Sequence, residues 1–244
     1  QRHDEPASIW LSDKAVLDGS KPIRGGIPLC WPWFGPAPAR VGSGKPSHGF
    51  ARTSLWTLDG VSDHGDGTLV HLSLRDNEAT RQLWPHAFEL ELDVLVGKEL
   101  ALVLTTRNTG KAPLVYSGAL HTYLQISSPE SVSVSGLGEP YADKLTGQNG
   151  QQQGPLTLNG PLDRVYWQPA AHVSIQDGER ETRVVSGNHD SVVVWTPWIE
   201  GATAMADMSD DGYRTMLCVE AAIASEAGVT VAPDEEHSFS TVII

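Results

Sequence analysis

Glu220 is the one charge in the apolar run Met216-Leu217-Cys218-Val219-Glu220-Ala221-Ala222. A carboxylate in such a strand must find a cation through the fold or have its pKa raised by burial, and either outcome suits proton-transfer chemistry. His121, within Leu120-His121-Thr122-Tyr123-Leu124, shares with Tyr123 the face opposite Leu120, Thr122 and Leu124. Its structural alternative is a histidine satisfied by hydrogen bonds at a sheet face. In Ser47-His48-Gly49-Phe50-Ala51-Arg52 an extended backbone would put His48, Phe50 and Arg52 on one face. The bland reading there is an exposed arginine and a bonded histidine beside a core phenylalanine.

Arg24 opens a segment of a different kind. Residues 23–35 hold Trp31, Trp33 and Phe34, two prolines and three glycines, too irregular for a strand and too apolar to leave in water. A rigid, partly buried loop is expected, either plugging one end of the fold or walling a pocket in which the rings meet a sugar and Arg24 an anion.

Other motifs fail on inspection. Asp207, Ser209, Asp211 and Gly212 imitate the start of a calcium loop, but Cys218 occupies the twelfth position where a bidentate glutamate is required. Gly136-Leu137-Gly138 lacks the third glycine and following helix of a dinucleotide site, and no Walker loop or Gly-x-Ser-x-Gly elbow is present. The nine histidines include no pair at metal-ligand spacing, so no metal is expected.

The elements that must carry these residues are strands. Short runs rich in Val, Leu, Thr and aromatics occupy 69–74, 88–96, 99–107, 114–126, 131–137, 173–176, 183–186, 191–195, 214–222 and 239–244, with a further one at 8–11. Phe88-Glu89-Leu90-Glu91-Leu92-Asp93-Val94 alternates apolar and acidic residues without a break, as a strand with one wet face does. Gly97-Lys98 and Asp177-Gly178 signal hairpins, hence antiparallel pairing. Residues 77–84 alone look helical, stopped by Pro85, and residues 148–154 read as a solvated loop. The fold class expected is all-β, one large antiparallel β-sandwich over residues 1–244 with no linker or repeat. The chain opens at Gln1 almost directly into a strand, so the strand count is taken as a lower bound, with N-terminal strands missing.

Bulk properties narrow the partners. At 244 residues, 40% hydrophobic and 19% charged, the chain has material for a core and lacks the composition of a disordered one. A net charge of −13 repels nucleic acid and anionic membranes, so an anionic ligand needs a local cationic cluster. No apolar run approaches the roughly 20 residues of a membrane span, no signal pattern opens the chain, and only Cys30 and Cys218 are present. A cytoplasmic, monomeric protein without nucleic-acid or membrane partners is expected.

Together these segments resemble the glucose-6-phosphate 1-epimerases, or hexose-6-phosphate mutarotases, of the aldose 1-epimerase superfamily. The resemblance is carried by Ile-Arg-Gly-Gly-Ile-Pro with Cys-Trp-Pro-Trp-Phe-Gly (23–35), His-Gly-Phe-Ala-Arg (48–52), Trp-Pro-His (84–86), Leu-His-Thr-Tyr (120–123), Ser-Val-Ser-Gly-Leu-Gly (133–138), Asp-Arg-Val-Tyr (163–166), Asp-Asp-Gly-Tyr (210–213) and Cys-Val-Glu (218–220), in family order across nearly the whole chain. It implies a galactose-mutarotase-like supersandwich with a cleft on one sheet, no metal and no cofactor. It further implies an isomerase interconverting the anomers of a hexose 6-phosphate, with His121 as general acid, Glu220 as general base, and Arg24, Ser47, His48, Arg52 and Asp163 as substrate contacts. Arg24 and Arg52 would grip the phosphate as two guanidinium forks, and Trp31, Trp33 and Phe34 could pack on the sugar. The alternatives are a mutarotase of unphosphorylated aldoses and a non-catalytic sugar-phosphate sensor, which would need neither His121 nor Glu220.

Overall fold

The computed structural model describes residues 8–65 and 67–244. Two large sheets dominate. The nine-stranded sheet runs in spatial order Leu156–Thr157, Val132–Ser135, Val173–Asp177, Arg180–Gly187, Glu236–Ile243, Leu100–Asn108, Phe88–Gly97, Gly67–Arg75 and Thr57–Asp63. The eight-stranded sheet runs Leu29–Cys30, Gly118–Leu120, Met216–Ile223, Ser191–Thr196, Leu162–Trp167, Pro140–Asp143 and Gln148–Gln151, with Tyr123–Gln125 also paired to Met216–Ile223. Every strand pair in both is antiparallel, as the hairpin signals require; Gly97 and Gly178 stand at the predicted turns. No helix among the described residues is long and apolar enough to cross a membrane.

The helix expected over 77–84 is present as Glu78–Leu83. Asn77 caps it, its Oδ1 accepting from Thr80 N–H at 3.1 Å while Thr80 Oγ1 accepts from Asn77 N–H at 2.9 Å. The strands expected at 69–74, 88–96, 99–107, 131–137, 173–176, 183–186, 191–195 and 239–244 all form, with ends shifted by a few residues.

Several expectations are corrected. Residues 148–154 are not simply a loop: Gln148–Gln151 pairs with Pro140–Asp143 as an exposed edge hairpin, held by backbone bonds that its polar side chains do not advertise. The run 114–126 is three strands, and Leu114–Tyr116 leaves the sheet to pair with Val229–Val231. The strand placed at 214–222 begins at Met216, after a 3₁₀ turn over Gly212–Thr215. Strands Thr57–Asp63, Pro140–Asp143 and Leu162–Trp167 and a second helix, Trp198–Ala204, lay outside the expectation. The strand at 8–11 makes only single bridges, Ile9 to Leu124 and Leu11 to Gly25.

The core divides into two main clusters. One gathers Trp31, Trp33, Phe50, Trp84, Phe88, Leu104, Tyr116 and Phe239; the other Leu124, Val134, Tyr166, Ile175, Val192, Val194, Leu217 and Val219. Trp31 and Trp33 are wholly buried, with their indole N–H groups bonded to Thr106 Oγ1 and the Pro46 carbonyl. They therefore belong to the core and present no face to a sugar. Leu217 and Val219 face this core, so by the period of two Cys218 and Glu220 face the other way.

Candidate active site

Sheet register builds the site. Along Met216–Ile223, Glu220 lies opposite Val193 and Cys218 opposite Trp195, while Trp195 in turn lies opposite Asp163. Because directly opposed residues share a face, Asp163, Trp195, Val193 and Glu220 form a patch on the side away from the second core cluster. On the other flank, Leu120 pairs with Ala221 and Tyr123 with Cys218. Counting inward from both pairs sets His121 opposite Glu220. The ladder is interrupted there: His121 N–H donates to the Pro28 carbonyl at 3.1 Å and Thr122 N–H to the Leu120 carbonyl at 2.8 Å. The imidazole stacks on Tyr123 with ring centres 5.0 Å apart, which fixes its plane.

Over this patch lies a cavity of about 600 Å³. Arg24, Ser47, His48, Arg52, His121, Asp163 and Glu220 all line it, so the fold brings together every site residue expected from the sequence. The shared face expected for His48 and Arg52 is not how this happens. His48 has φ 62° and Ala51–Thr53 is a 3₁₀ turn, so the segment is a tight corner and both side chains reach the cavity from it. His48 Nδ1 accepts from Gly35 N–H at 3.2 Å, and Ser47 Oγ donates to the Gly35 carbonyl at 3.2 Å, tying this corner to the Phe34 loop. Of the three aromatics of that loop only Phe34 lines the cavity.

Another cavity, of about 660 Å³, runs along Val134–Glu139 and Gln151–Pro155 and has Glu139 as its only ionisable lining group. It offers size without an acid–base pair, so the cavity above Glu220 is the candidate site.

At its floor His121 Nε2 lies 3.4 Å from Glu220 Oε1. The Glu220 side chain is 1% exposed and that of His121 12%. Glu220 Oε2 and His121 Nδ1 have no hydrogen-bond partner among the described residues, although buried polar atoms are ordinarily satisfied. Burial raises the Glu220 carboxyl well above its usual range, against the opposing pull of Lys144 and Arg52. Burial likewise lowers the His121 imidazole well below its usual range, and His48 and Arg52 push it further down. Both shifts favour the neutral forms, a carboxylic acid beside an imidazole without its second proton. His48 is pushed down to about 4 by burial, then Arg52, then Lys144, so it stays neutral.

Arg24 Nε donates to Asp207 Oδ1 at 3.2 Å and Nη1 to the Tyr123 hydroxyl at 3.1 Å. Asp207 of the calcium-like turn is thus an arginine partner. Arg52 Nη2 donates to the Ser47 carbonyl at 2.9 Å.

Two wall residues escaped the sequence reading. Trp195 stands edge-on to His121 and Tyr123, at 6.0 Å from each. It follows three consecutive valines in a strand whose composition hides which face is which, and only its pairing with Asp163 reveals it. Lys144 sits in a polar turn; its one signal is that no other lysine follows Lys111. Tertiary structure also supplies a grouping absent from sequence spacing, since ligand-type atoms of His121, Cys218 and Glu220 lie within 4.8 Å of one another.

The aldose 1-epimerase family profile matches residues 1–243. An Escherichia coli (strain K12) protein provisionally named glucose-6-phosphate 1-epimerase is 38% identical over 227 residues, spanning 91% of this chain and 74% of its own length. One from Cenchrus ciliaris under the same name is 36% identical over 243 residues, spanning 93% and 72%. A crystal structure from Salmonella typhimurium, described provisionally as a mutarotase, superposes with a TM-score of 0.93 at 35% identity, covering all of this chain and 81% of the other. With the profile running from end to end and the fold reproduced to this degree, the chain belongs to the aldose 1-epimerase family.

Proposed function

We propose that this protein interconverts the α and β anomers of a hexose 6-phosphate, glucose 6-phosphate being the substrate class its named relatives suggest. The observation that carries the chemistry is the buried His121–Glu220 pair, with one unpartnered polar atom on each member at the floor of an open cavity.

An anomer changes by opening its ring, turning about C1–C2 and closing on the other face. Opening removes a proton from the C1 hydroxyl and delivers one to the ring oxygen. Besides the N–H that a neutral imidazole always keeps, the mechanism needs one titratable proton on the pair. Passing it across the 3.4 Å gap from Glu220 Oε1 to His121 Nε2 gives carboxylate and imidazolium, the base and the acid that opening requires. Glu220 takes the C1 hydroxyl proton as His121 protonates the ring oxygen and the C1–O bond to it breaks. Closure reverses both transfers on the opposite face, so the site returns to its starting protonation. Ser47, His48 and Asp163 contact the sugar and Arg52 the phosphate; Arg24, expected as a second phosphate fork, is here given to the sugar because Asp207 and Tyr123 already engage its guanidinium. Charge in the phosphate, about −1.5 to −2 at neutral pH, is what demands a cation in a chain of net charge −13.

Two-dimensional exchange NMR of glucose 6-phosphate tests this directly: catalytic protein should raise anomer exchange well above the spontaneous rate, and an unchanged rate would remove the proposal. Arg52→Ala should lower kcat/KM for glucose 6-phosphate by roughly one to three orders of magnitude, at about 1.4 kcal/mol per factor of ten. Any activity on unphosphorylated glucose should hardly change, and Arg52→Lys should recover only part of the loss, because an ammonium keeps the charge without the fork. An equal fall on both sugars would make Arg52 structural or catalytic.

The proton inventory is complete with two side chains, so exchange should survive exhaustive chelation even though His121, Cys218 and Glu220 are grouped. Activity lost in a chelator and restored by one divalent ion would contradict this.

A further inference from the structure

The cavity's two arginines are not equivalent. Arg24 is bonded to Asp207 and Tyr123, so its charge is countered within the protein. Arg52 has no carboxylate within ion-pair distance among the described residues and donates only to a backbone carbonyl. One full positive charge cannot balance a phosphate carrying about −1.5 to −2.

Lys144 supplies another. It sits in a turn built to hold it: Asp143 Oδ1 accepts from Leu145 and Thr146 N–H at 3.0 and 3.1 Å, and Asp143 Oδ2 accepts from Arg164 Nε at 3.1 Å. Lys144 N–H itself donates to the Asp163 carbonyl at 2.8 Å, and Gly147 N–H to the Asp143 carbonyl at 2.8 Å. From this fixed turn the side chain enters the cavity, its Nζ 4.1 Å from the centre of the Phe34 ring. Asp163 Oδ1 is 3.9 Å away, within ion-pair range but too far for a hydrogen bond, so the three ammonium donors make none among the described residues. Lys144 and Arg52 both depress His48, so the two charges bear on the same part of the cavity.

We propose that Lys144 is the second cation of the phosphate subsite, closing on the phosphoryl group opposite Arg52 and setting selectivity for the phosphorylated sugar. The assignment rests on the hexose-phosphate reading above. It makes Lys144 a specificity-determining residue with no part in proton transfer: its ammonium, held over the Phe34 ring, meets the phosphoryl oxygens.

The test measures glucose 6-phosphate and glucose with the wild type and with Lys144→Met and Lys144→Arg, by titration calorimetry for binding and exchange NMR for turnover. Lys144→Met keeps the length of the stem and removes the charge. It should weaken glucose 6-phosphate binding and lower kcat/KM on it about 10- to 100-fold, leave glucose turnover within about threefold, and weaken competition by inorganic phosphate against glucose 6-phosphate by a similar factor. Lys144→Arg should stay within about tenfold of the wild type on all three readouts. Equal losses on both sugars would show that Lys144 acts by holding Asp163, and unchanged phosphate competition would place the phosphate elsewhere; either overturns the assignment. Wild-type protein that binds glucose 6-phosphate without accelerating exchange would defeat the proposed function instead, and the calorimetric comparison would still decide Lys144.

Discussion

Glu220→Gln and His121→Asn should each lower anomer exchange of glucose 6-phosphate by about 10²- to 10⁴-fold, the usual worth of a positioned proton transfer. The amide matches the carboxyl in shape but neither takes nor returns a proton, so Gln removes chemistry and little packing. His121→Asn also loses the stack on Tyr123, and His121→Ala loses more of it, so their folds must be checked by circular dichroism. Residues acting as a unit are strongly non-additive, and the double variant should be hardly slower than the worse single one. Either single variant retaining near wild-type exchange would disprove the assignment.

Stability supplies an independent readout. The folded carboxyl of Glu220 titrates above its unfolded value of 4.5, so the folded state binds more protons once pH exceeds that value. Stability from this group is therefore full below pH 4.5 and declines as pH rises toward the folded pKa. Glu220→Gln should remove that decline, giving a Tm that falls less than the wild type's between pH 5 and 8.

Gly49→Ala should be the most damaging change outside the acid–base pair. Gly49 has φ +68°, and a Cβ there would lie 2.0 Å from the Trp31 carbonyl oxygen and 2.3 Å from its carbon. That carbonyl accepts from both Phe50 and Ala51 N–H, at 2.9 and 3.2 Å, so it cannot move aside without breaking the corner. Strain at positive φ costs roughly 1–3 kcal/mol and overpacking about as much again, so Tm should fall by about 5–20 °C at 2–4 °C per kcal/mol. Activity should fall too, because the same corner carries His48 and Arg52. Gly19, with φ +80° and nothing within 4 Å of a Cβ, is the control for backbone strain alone. If Gly49→Ala lowered Tm no more than Gly19→Ala, the close approach would be refuted.

By itself the sequence determined the class of fold and marked Glu220 as a candidate for proton transfer. Alternation in 88–96, the turn pairs at 97–98 and 177–178, and the capped helix starting at Asn77 are local signals, set by side-chain periodicity and turn chemistry within a few residues. Glu220 was legible because a charge in an apolar strand is costly wherever the strand lies. His121, Arg24 and Arg52 became legible only as members of a family pattern.

The tertiary structure decided the rest, because it depends on pairing between distant strands. Edge strand Gln148–Gln151 carries no apolar alternation, since both its faces are largely wet, and reads as a loop until Pro140–Asp143 is beside it. Trp31 and Trp33 could be sugar platforms or core residues on composition alone; packing put them in the core and left Trp195 and Phe34 in the wall. Register across Leu162–Trp167, Ser191–Thr196 and Met216–Ile223 aligned Asp163, Trp195 and Glu220, and the interrupted ladder at 121–122 set His121 against Glu220. Which arginine is already neutralised follows from Asp207 lying beside Arg24, a contact across 183 residues of sequence that no local rule encodes.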